Sequence, residues 1–236
     1  MSTYLQILIY SIFIPFIFSF HPKIRFYRNW KPFFISNLLI SIPFLIWDNI
    51  FTIKKVWNFG DHHLSGIKIG ELPIEEIMFF IFIPYCFMFT YEVFKKLIPK
   101  SESWEYIANK FTLIFGFLVL ALGVFTLDYM YTSTTCIILS LILILIGYIR
   151  KEKFLIHFYI TFLIITCVPF LIVNGMLTGI LENSIDHATV TYNDNERFFN
   201  RFLTIPIEDF FYSLLLLITN TWMYEVIKKK FKKTKV

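Results

Sequence analysis

The sequence predicts an all-α membrane protein with seven transmembrane helices, arranged as two parallel three-helix repeats joined by an adapter helix. Of its 236 residues, 57% are hydrophobic and only 17% are charged, so the chain is too apolar for a soluble domain of this size. Seven apolar runs have roughly the length that crosses a bilayer. A motif with two adjacent acidic residues occurs twice, each time at the start of such a run.

The apolar runs give the predicted helices in chain order. They cover, approximately, residues 3–20, 33–53, 73–94, 111–128, 132–149, 154–173 and 206–227. The first run lacks a preceding basic segment and a small-residue cleavage site. We therefore interpret it as a helix and not as a cleavable signal peptide.

The basic residues predict the orientation of these helices. Of the 22 Lys and Arg residues, 17 lie in the loops after helices 1, 3 and 5 and in the C-terminal tail. Because basic loops stay in the cytoplasm, we expect an integral protein of the cell (cytoplasmic) membrane with its N-terminus outside and its C-terminus cytoplasmic. The net charge of +5 then reflects topology rather than nucleic-acid binding, and the tail could also contact membrane lipids.

The acidic motif belongs to an internal repeat. Residues 73–76 (Pro-Ile-Glu-Glu) and 206–209 (Pro-Ile-Glu-Asp) each open an apolar run that ends in Tyr-Glu, at 91–92 and 224–225. The step from Pro to Tyr is the same in both copies. Such self-similarity indicates that one structural unit occurs twice.

A second match extends the repeat to helices 2 and 6, where Pro-Phe-Leu-Ile occurs at 43–46 and 169–172. Each copy then has three helices. Because three is odd, a further helix between the copies gives them the same orientation and puts both acidic motifs at one membrane face. We predict a first three-helix repeat at 1–98, a linker with the adapter helix at 99–130, and a second three-helix repeat with the basic tail at 131–236.

The acidic pairs, Glu75 with Glu76 and Glu208 with Asp209, are the candidate catalytic residues. The local alternative is that acidic residues in a first helical turn only complement the helix dipole. That alternative explains less well two consecutive acids at the boundary of an apolar span, where an ionised group is costly. Adjacent helical residues point about 100° apart, so one member of each pair can face a cavity. A carboxyl group in apolar surroundings is suited to act as an acid near neutral pH.

Aromatic side chains lie within about one turn of the acidic pairs. An aromatic wall suits a carbocation, because a cation is attracted to a π face. These residues are Phe79, Phe80, Phe210, Phe211 and Tyr212.

No metal site is expected. The adjacent His62 and His63 give poor ligand geometry by themselves. Cys86, Cys136 and Cys167 lie in predicted spans and lack the paired spacings of metal sites or disulfide frameworks.

Several of these motifs together resemble the integral-membrane lycopene cyclase domain family. They are the duplicated acidic motif with its Tyr-Glu ending, Trp-Asp at 47–48, Trp-Asn-Phe at 57–59, the Asn-Gly run at 174–179 and Val-Thr-Tyr-Asn at 190–193. Members occur as two small subunits in some bacteria, as fused proteins in other bacteria and archaea, and joined to phytoene synthase in fungi. The chain resembles the fused form, over essentially all its length except helix 4.

The resemblance implies that linear ψ-end groups of lycopene are cyclised to β-ionone rings, giving γ- and then β-carotene in carotenoid biosynthesis. An acid protonates the terminal double bond, an internal double bond attacks the tertiary cation, and a ring proton is lost. There is no net redox change, so no cofactor is expected, although a flavin or nicotinamide requirement is left open. The implied partners are the carotenoid in the bilayer, membrane lipids and other carotenoid enzymes, with no nucleic acid.

The resemblance also implies site residues. Our hypothesis is that Glu75 and Glu208 are the leading acid–base candidates, with Glu76 and Asp209 as partners or cation stabilisers; acid and base within each pair stay unassigned. We expect one shared site between the copies rather than two. The candidates for substrate binding are Trp47, Asp48, Phe79, Phe80, Asn174, Tyr192, Asn193, Arg201, Phe211, Tyr212 and Asn220.

Other functions remain open from the sequence. Within the same family, the chain could make ε- or γ-type rings or act on longer carotenoids. A small proton-coupled transporter is the alternative from another class, because intramembrane carboxylates also mark proton relays. A retinal photoreceptor of the usual arrangement is excluded, since it needs a lysine inside a late helix and none occurs between Lys153 and Lys228.

Overall fold

The computed structural model describes residues 2–149, 153–182 and 185–233. These residues are mainly helical, and every predicted span contains a helix. The helices are α1 (Thr3–Phe18), α2 (Trp30–Ile53), α3 (Ile74–Leu97), α4 (Glu102–Phe125), α5 (Met130–Ile149), α6 (Leu155–Ile165), α7 (Leu171–Leu177) and α8 (Ile207–Lys233). A π-helical turn, Thr166–Phe170, joins α6 to α7, so that these three segments form one continuous span.

The chain is a membrane protein by the length and composition of its helices. Within the described residues, six spans are long and apolar enough to cross a bilayer; α1, with 16 residues, is shorter. Large apolar side chains such as Phe13, Leu38 and Leu118 are exposed on the outer faces of α1, α2 and α4. Such an exposed apolar surface is favourable in contact with lipid but unfavourable in contact with water.

Helix α4 begins earlier than predicted, at Glu102 rather than at residue 111. The Ser101 hydroxyl caps it by accepting a hydrogen bond from the Trp104 amide (3.4 Å), and Glu102 and Glu105 lie in its first turn. These polar turns extend the helix beyond its apolar run, which is why the run alone does not mark the start.

Helix α4 packs closely along α5. An added Cβ at Gly116 or Gly123 of α4 would lie 2.9 Å from a side-chain carbon of Ile144 or Ile137. An added Cβ at Gly147 of α5 would lie 3.0 Å from the backbone of α4. Small residues at these positions let the two backbones approach, as is common between membrane helices.

Helices α3 and α8 are joined at their C-terminal ends by reciprocal ion pairs. Lys228 of α8 lies 2.6 Å from Oε1 of Glu92, and Lys95 of α3 binds Glu225 of α8 in the same way. The Tyr91 hydroxyl also donates to Glu225 (2.9 Å). The Tyr-Glu sequence that ends the apolar run of each helix is therefore part of the contact with the other helix.

Three short antiparallel strand pairs lie outside the helices and were not predicted. Strand β1 (Trp57–Phe59) pairs with β4 (Val190–Tyr192), with Asn58 opposite Thr191. The other two pairs are hairpins, and the second strand of each leads directly into α3 or α8. They are β2 (Lys68–Ile69) with β3 (Leu72–Pro73), and β5 (Arg201–Phe202) with β6 (Ile205–Pro206).

The two hairpins have equivalent turns. Gly70 of the first hairpin and Leu203 of the second both adopt left-handed backbone conformations, with φ of +65° and +57°. Arg150, Lys151 and Lys235, which contribute to the predicted charge bias, lie outside the described residues.

Candidate active site

The acidic pairs occupy the first turns of α3 and α8, directly after strands β3 and β6. All four side chains are buried: Glu75 and Glu208 have 0% of their surface exposed, Glu76 has 8% and Asp209 has 6%. Four carboxyl groups withdrawn from water in this way need hydrogen-bond partners or a chemical role.

The first member of each pair binds the loop before its helix. Glu75 Oε1 accepts hydrogen bonds from the Ser2 hydroxyl (2.6 Å) and the Ser65 amide (2.7 Å). Glu208 Oε1 is bound by the Thr132 hydroxyl (2.7 Å) and by two amides of the loop before β5, those of residues 198 and 199 (3.0 Å each). Glu75 and Glu208 do not line the cavity described next, and they hold loop backbone in both halves of the molecule.

The second member of each pair faces a common cavity. Glu76 and Asp209 both line an empty volume of about 1150 Å³, which includes the open space at its mouth. The structure therefore brings one carboxyl group from each acidic motif to a single space.

Asp209 is held by three donors. The Tyr131 hydroxyl donates to Oδ1 (2.6 Å), while the Asn174 amide (2.7 Å) and the Tyr192 hydroxyl (2.9 Å) donate to Oδ2. Burial raises the pKa of Tyr192 well above its usual value, and the nearby Asp209 raises it further, so Tyr192 stays a neutral donor. These three donors offset part of the cost of burying a charge on Asp209.

Glu76 has a different environment. The Tyr4 hydroxyl donates to its Oε2 at 2.5 Å. Asp48 lies beside it, close enough for the two carboxyl groups to interact electrostatically. Asp48 is 2% exposed; its Oδ1 accepts a hydrogen bond from Trp57 Nε1 (2.6 Å).

Aromatic rings surround these carboxyl groups. The Trp57 ring packs edge-on against Tyr131 and Tyr212, with ring centroids 5.1 and 6.1 Å apart. The Tyr131 and Tyr192 rings are stacked at 5.9 Å. Phe79 completes this part of the wall. The cavity thus places acidic groups among π faces, an arrangement that can stabilise a cation.

The cavity is elongated along the membrane helices. On α3 its wall runs from Glu76 to Phe87, which at 1.5 Å per helical residue is about 16 Å. The π-helical turn contributes Pro169 and Phe170 to the wall, and Pro169 is exposed. This turn is therefore a candidate for the opening of the cavity.

Of the candidates for substrate binding, five line the cavity: Asp48, Phe79, Asn174, Tyr192 and Tyr212. Three others are core residues outside its wall. Trp47 packs against Tyr212 with ring centroids 5.2 Å apart, Phe80 is buried against Phe44, and Phe211 stacks on Phe199.

The last three candidates also lie outside the cavity wall, where they bind protein groups. Asn193 accepts a hydrogen bond from the Asn195 amide within its own turn (3.1 Å). Arg201 binds Asp194 (3.1 Å). Asn220 donates to Asn37 Oδ1 at 2.6 Å and so links α8 to α2.

The site also contains Tyr4, Trp57 and Tyr131, which the sequence did not single out as site residues. Tyr4 and Tyr131 lie near the starts of α1 and α5, and each donates to the second acidic residue of its own half. Their matching places in the repeat are the signal that could have found them. That signal is weak, because tyrosine is common at membrane interfaces.

Comparison with known protein families gives a match to the family described as lycopene cyclase, over residues 1–94 and 128–227. The unmatched segment between them contains all of α4. The chain is also similar to the bifunctional lycopene cyclase/phytoene synthase of Aspergillus niger, with 31% identity over 78 residues. That match covers 29% of this chain and only 13% of the fungal protein. No solved structure matches the chain.

Proposed function

The chain belongs to the lycopene cyclase family of carotenoid biosynthesis, and we propose that it closes the ψ-end groups of lycopene into β-ionone rings, giving γ- and then β-carotene. The observation that carries this proposal is the meeting of Glu76 and Asp209 in one aromatic cavity. The reaction needs an acid, a base and shielding of a cation from water, and these residues can supply all three.

In the proposed mechanism the substrate gains one proton and loses another. A carboxylic acid of the site protonates the terminal double bond and leaves a tertiary cation. The internal double bond forms the new carbon–carbon bond, which shifts the cation into the ring. A carboxylate removes the proton from the ring carbon that has just formed the bond, and the β-type double bond results. The faces of Trp57, Tyr131 and Tyr212 stabilise the cation in between.

We propose one site shared by two parallel three-helix repeats, with α4 as the adapter, as the segments 1–98, 99–130 and 131–236 predict. Equivalent contacts support the duplication: Tyr4 with Glu76 matches Tyr131 with Asp209, and both hairpins lead into an acidic pair. The pairing of β1 with β4 and the reciprocal ion pairs of α3 and α8 support a two-fold relation between the repeats.

The substrate enters from the bilayer in this proposal. We place its entry beside the exposed Pro169, from where one end group reaches the carboxyl groups and the adjoining polyene lies along the apolar wall towards Phe87. The protein resides in the cell membrane with its N-terminus outside, next to lipids and other carotenoid enzymes. No cofactor is required in this scheme, and assays with and without reduced flavin and nicotinamide check that point.

Product analysis in a lycopene-accumulating host tests the proposed function. Cells that express the chain should contain β- or γ-carotene by chromatography with authentic standards. Unchanged lycopene, together with verified insertion of the protein into the membrane, would refute the proposal. ε-Type rings would keep the cyclase assignment and correct the ring type, because only the proton that leaves the ring differs.

A further inference from the structure

One position distinguishes the two halves of the cavity. Asp48 in α2 and Asn174 in α7 are equivalent in the sequence repeat, and both line the cavity near the second acidic residue of their own half. Asn174 gives Asp209 an N–H donor at 2.7 Å. Asp48 instead places a second carboxyl group beside Glu76.

The hydroxyl donors of the wall follow the same asymmetry. Tyr192 and Tyr212 lie in the second half, where the first half has Phe59 and Phe79 at the equivalent positions of the repeat. Of these two hydroxyl groups, that of Tyr192 donates to Asp209 (2.9 Å), whereas that of Tyr212 is buried without a hydrogen-bond partner among the described residues. With Tyr131 and Asn174, Tyr192 gives Asp209 three neutral donors. Neutral donors stabilise a carboxylate by hydrogen bonding and do not transfer a proton to it. This environment suits Asp209 to the role of base.

The first half is arranged to hold a proton. Oδ1 of Asp48 is fixed by Trp57, while its Oδ2 is buried and has no hydrogen-bond partner within the described part of the chain. A neighbouring carboxyl group can form a hydrogen bond to Glu76 only if one of the two carries a proton. Two carboxyl groups that share a site keep one proton between them, because like charges at short range cannot both ionise cheaply.

We propose that Asp48 and Glu76 form a proton-sharing carboxyl pair that supplies the acid for cyclisation, and that Asp209 is the base that takes the ring proton. This assignment rests on the proposed function. Glu76 gives its proton to the terminal double bond, and Asp48 is a positioning residue that acts through Glu76. The proton that Asp209 removes balances the proton given, and its return to Glu76 across the cavity resets the site.

The test compares Asp48→Asn with Asp48→Glu in purified protein supplied with lycopene in phospholipid vesicles. Asparagine keeps the size of Asp48 and an oxygen for Trp57 but cannot share an acid proton. We expect Asp48→Asn to lower kcat at least 100-fold, within the range of about 10²–10⁴ for loss of general acid catalysis. Asp48→Glu should recover part of that loss.

The pH profile of kcat separates this role from packing. The titratable groups that face Asp48 are Glu76 on α3, Tyr4 on α1 and Tyr212 on α8, and Asp209 on α8 faces Glu76. The alkaline limb should move to lower pH in Asp48→Asn, because Glu76 no longer shares a proton. A kcat and a pH profile equal to those of the wild type would overturn the proposal.

Asn174→Asp is the second, independent variant, in case Asp48→Asn does not fold. It removes a donor from Asp209 and gives the base a neighbouring carboxyl group, so kcat should fall at least tenfold. An unchanged kcat in folded protein would contradict the assigned base. A wild-type chain without any cyclase activity would instead refute the proposed function, so the two failures are distinguishable.

Discussion

Substitutions of Glu208, at the start of α8, test whether its carboxyl group has a structural or a catalytic role. Its Oε1 accepts hydrogen bonds from the Thr132 hydroxyl and from the amides of Phe198 and Phe199. Glu208→Gln keeps an oxygen for these donors, so we expect the cyclisation rate of the folded protein to stay close to that of the wild type. Stability should fall by only about 1 kcal/mol, the typical net contribution of one hydrogen bond.

Glu208→Ala removes the acceptor altogether. Phe198 is 42% exposed, so water can reach part of this loop, and the cost per unpaired donor lies at the low end of its range. The Phe198 amide keeps a second acceptor, the Thr132 hydroxyl oxygen (2.9 Å), so two donors lose their partner. At about 1 kcal/mol for each of them, the loss of stability is about 2 kcal/mol. The loop should then open, and trypsin should cut it after Arg197 or Arg201.

The assay measures the initial rate of ring formation per folded protein in lycopene-containing vesicles. Thermal unfolding in detergent and limited trypsin digestion are recorded in parallel for both variants. If folded Glu208→Gln lost as much activity as Asp209→Asn, the proton chemistry would involve Glu208, and our division of roles within the acidic pair would be refuted.

Three further variants test other parts of the structure. Tyr131→Phe removes the 2.6 Å donor to Asp209 and should lower the rate about tenfold or more, from a loss of about 1.5–3 kcal/mol; an unchanged rate would mean that the ring alone matters. A double-mutant cycle of Glu92→Gln with Lys228→Met should give a coupling energy above about 0.5 kcal/mol in thermal unfolding, without changing the rate of folded protein; additive effects would contradict the ion pair. Leu203→Asn should raise stability by up to about 1 kcal/mol, because Leu203 has a φ of +57° and is largely exposed; a lower melting temperature would speak against strain in this turn.

The helices and the acidic pairs could be predicted because both depend on local sequence. The length of an apolar run fixes a membrane helix, and a carboxyl group in such a run is conspicuous. Which member of each pair faces the cavity depends on how α3 and α8 are rotated. That rotation is set by packing against other helices, so the sequence hypothesis favoured Glu75 and Glu208, whereas our proposal uses Glu76 and Asp209.

Of the other site residues, some could be found from the local sequence and others could not. Asp48 and Asn174 were found because a polar residue at the membrane boundary is unusual. Tyr4 and Tyr131 were missed because a tyrosine at that boundary is common. Arg201 was expected to bind substrate, but it lies in a hairpin outside the cavity wall. The sequence does not reveal this hairpin, because strands of two residues are too short to show an alternating pattern.

Single substitutions of the cavity carboxyl groups test the shared site most directly. The initial rate of total ring formation is measured for Glu76→Gln, for Asp209→Asn and for the double variant, each normalised to folded protein. A single shared site predicts that either substitution alone lowers the rate at least about 100-fold, because acid and base serve the same turnover. If each single variant kept about half of the wild-type rate and only the double variant lost activity, the two motifs would form separate sites and the account would be contradicted.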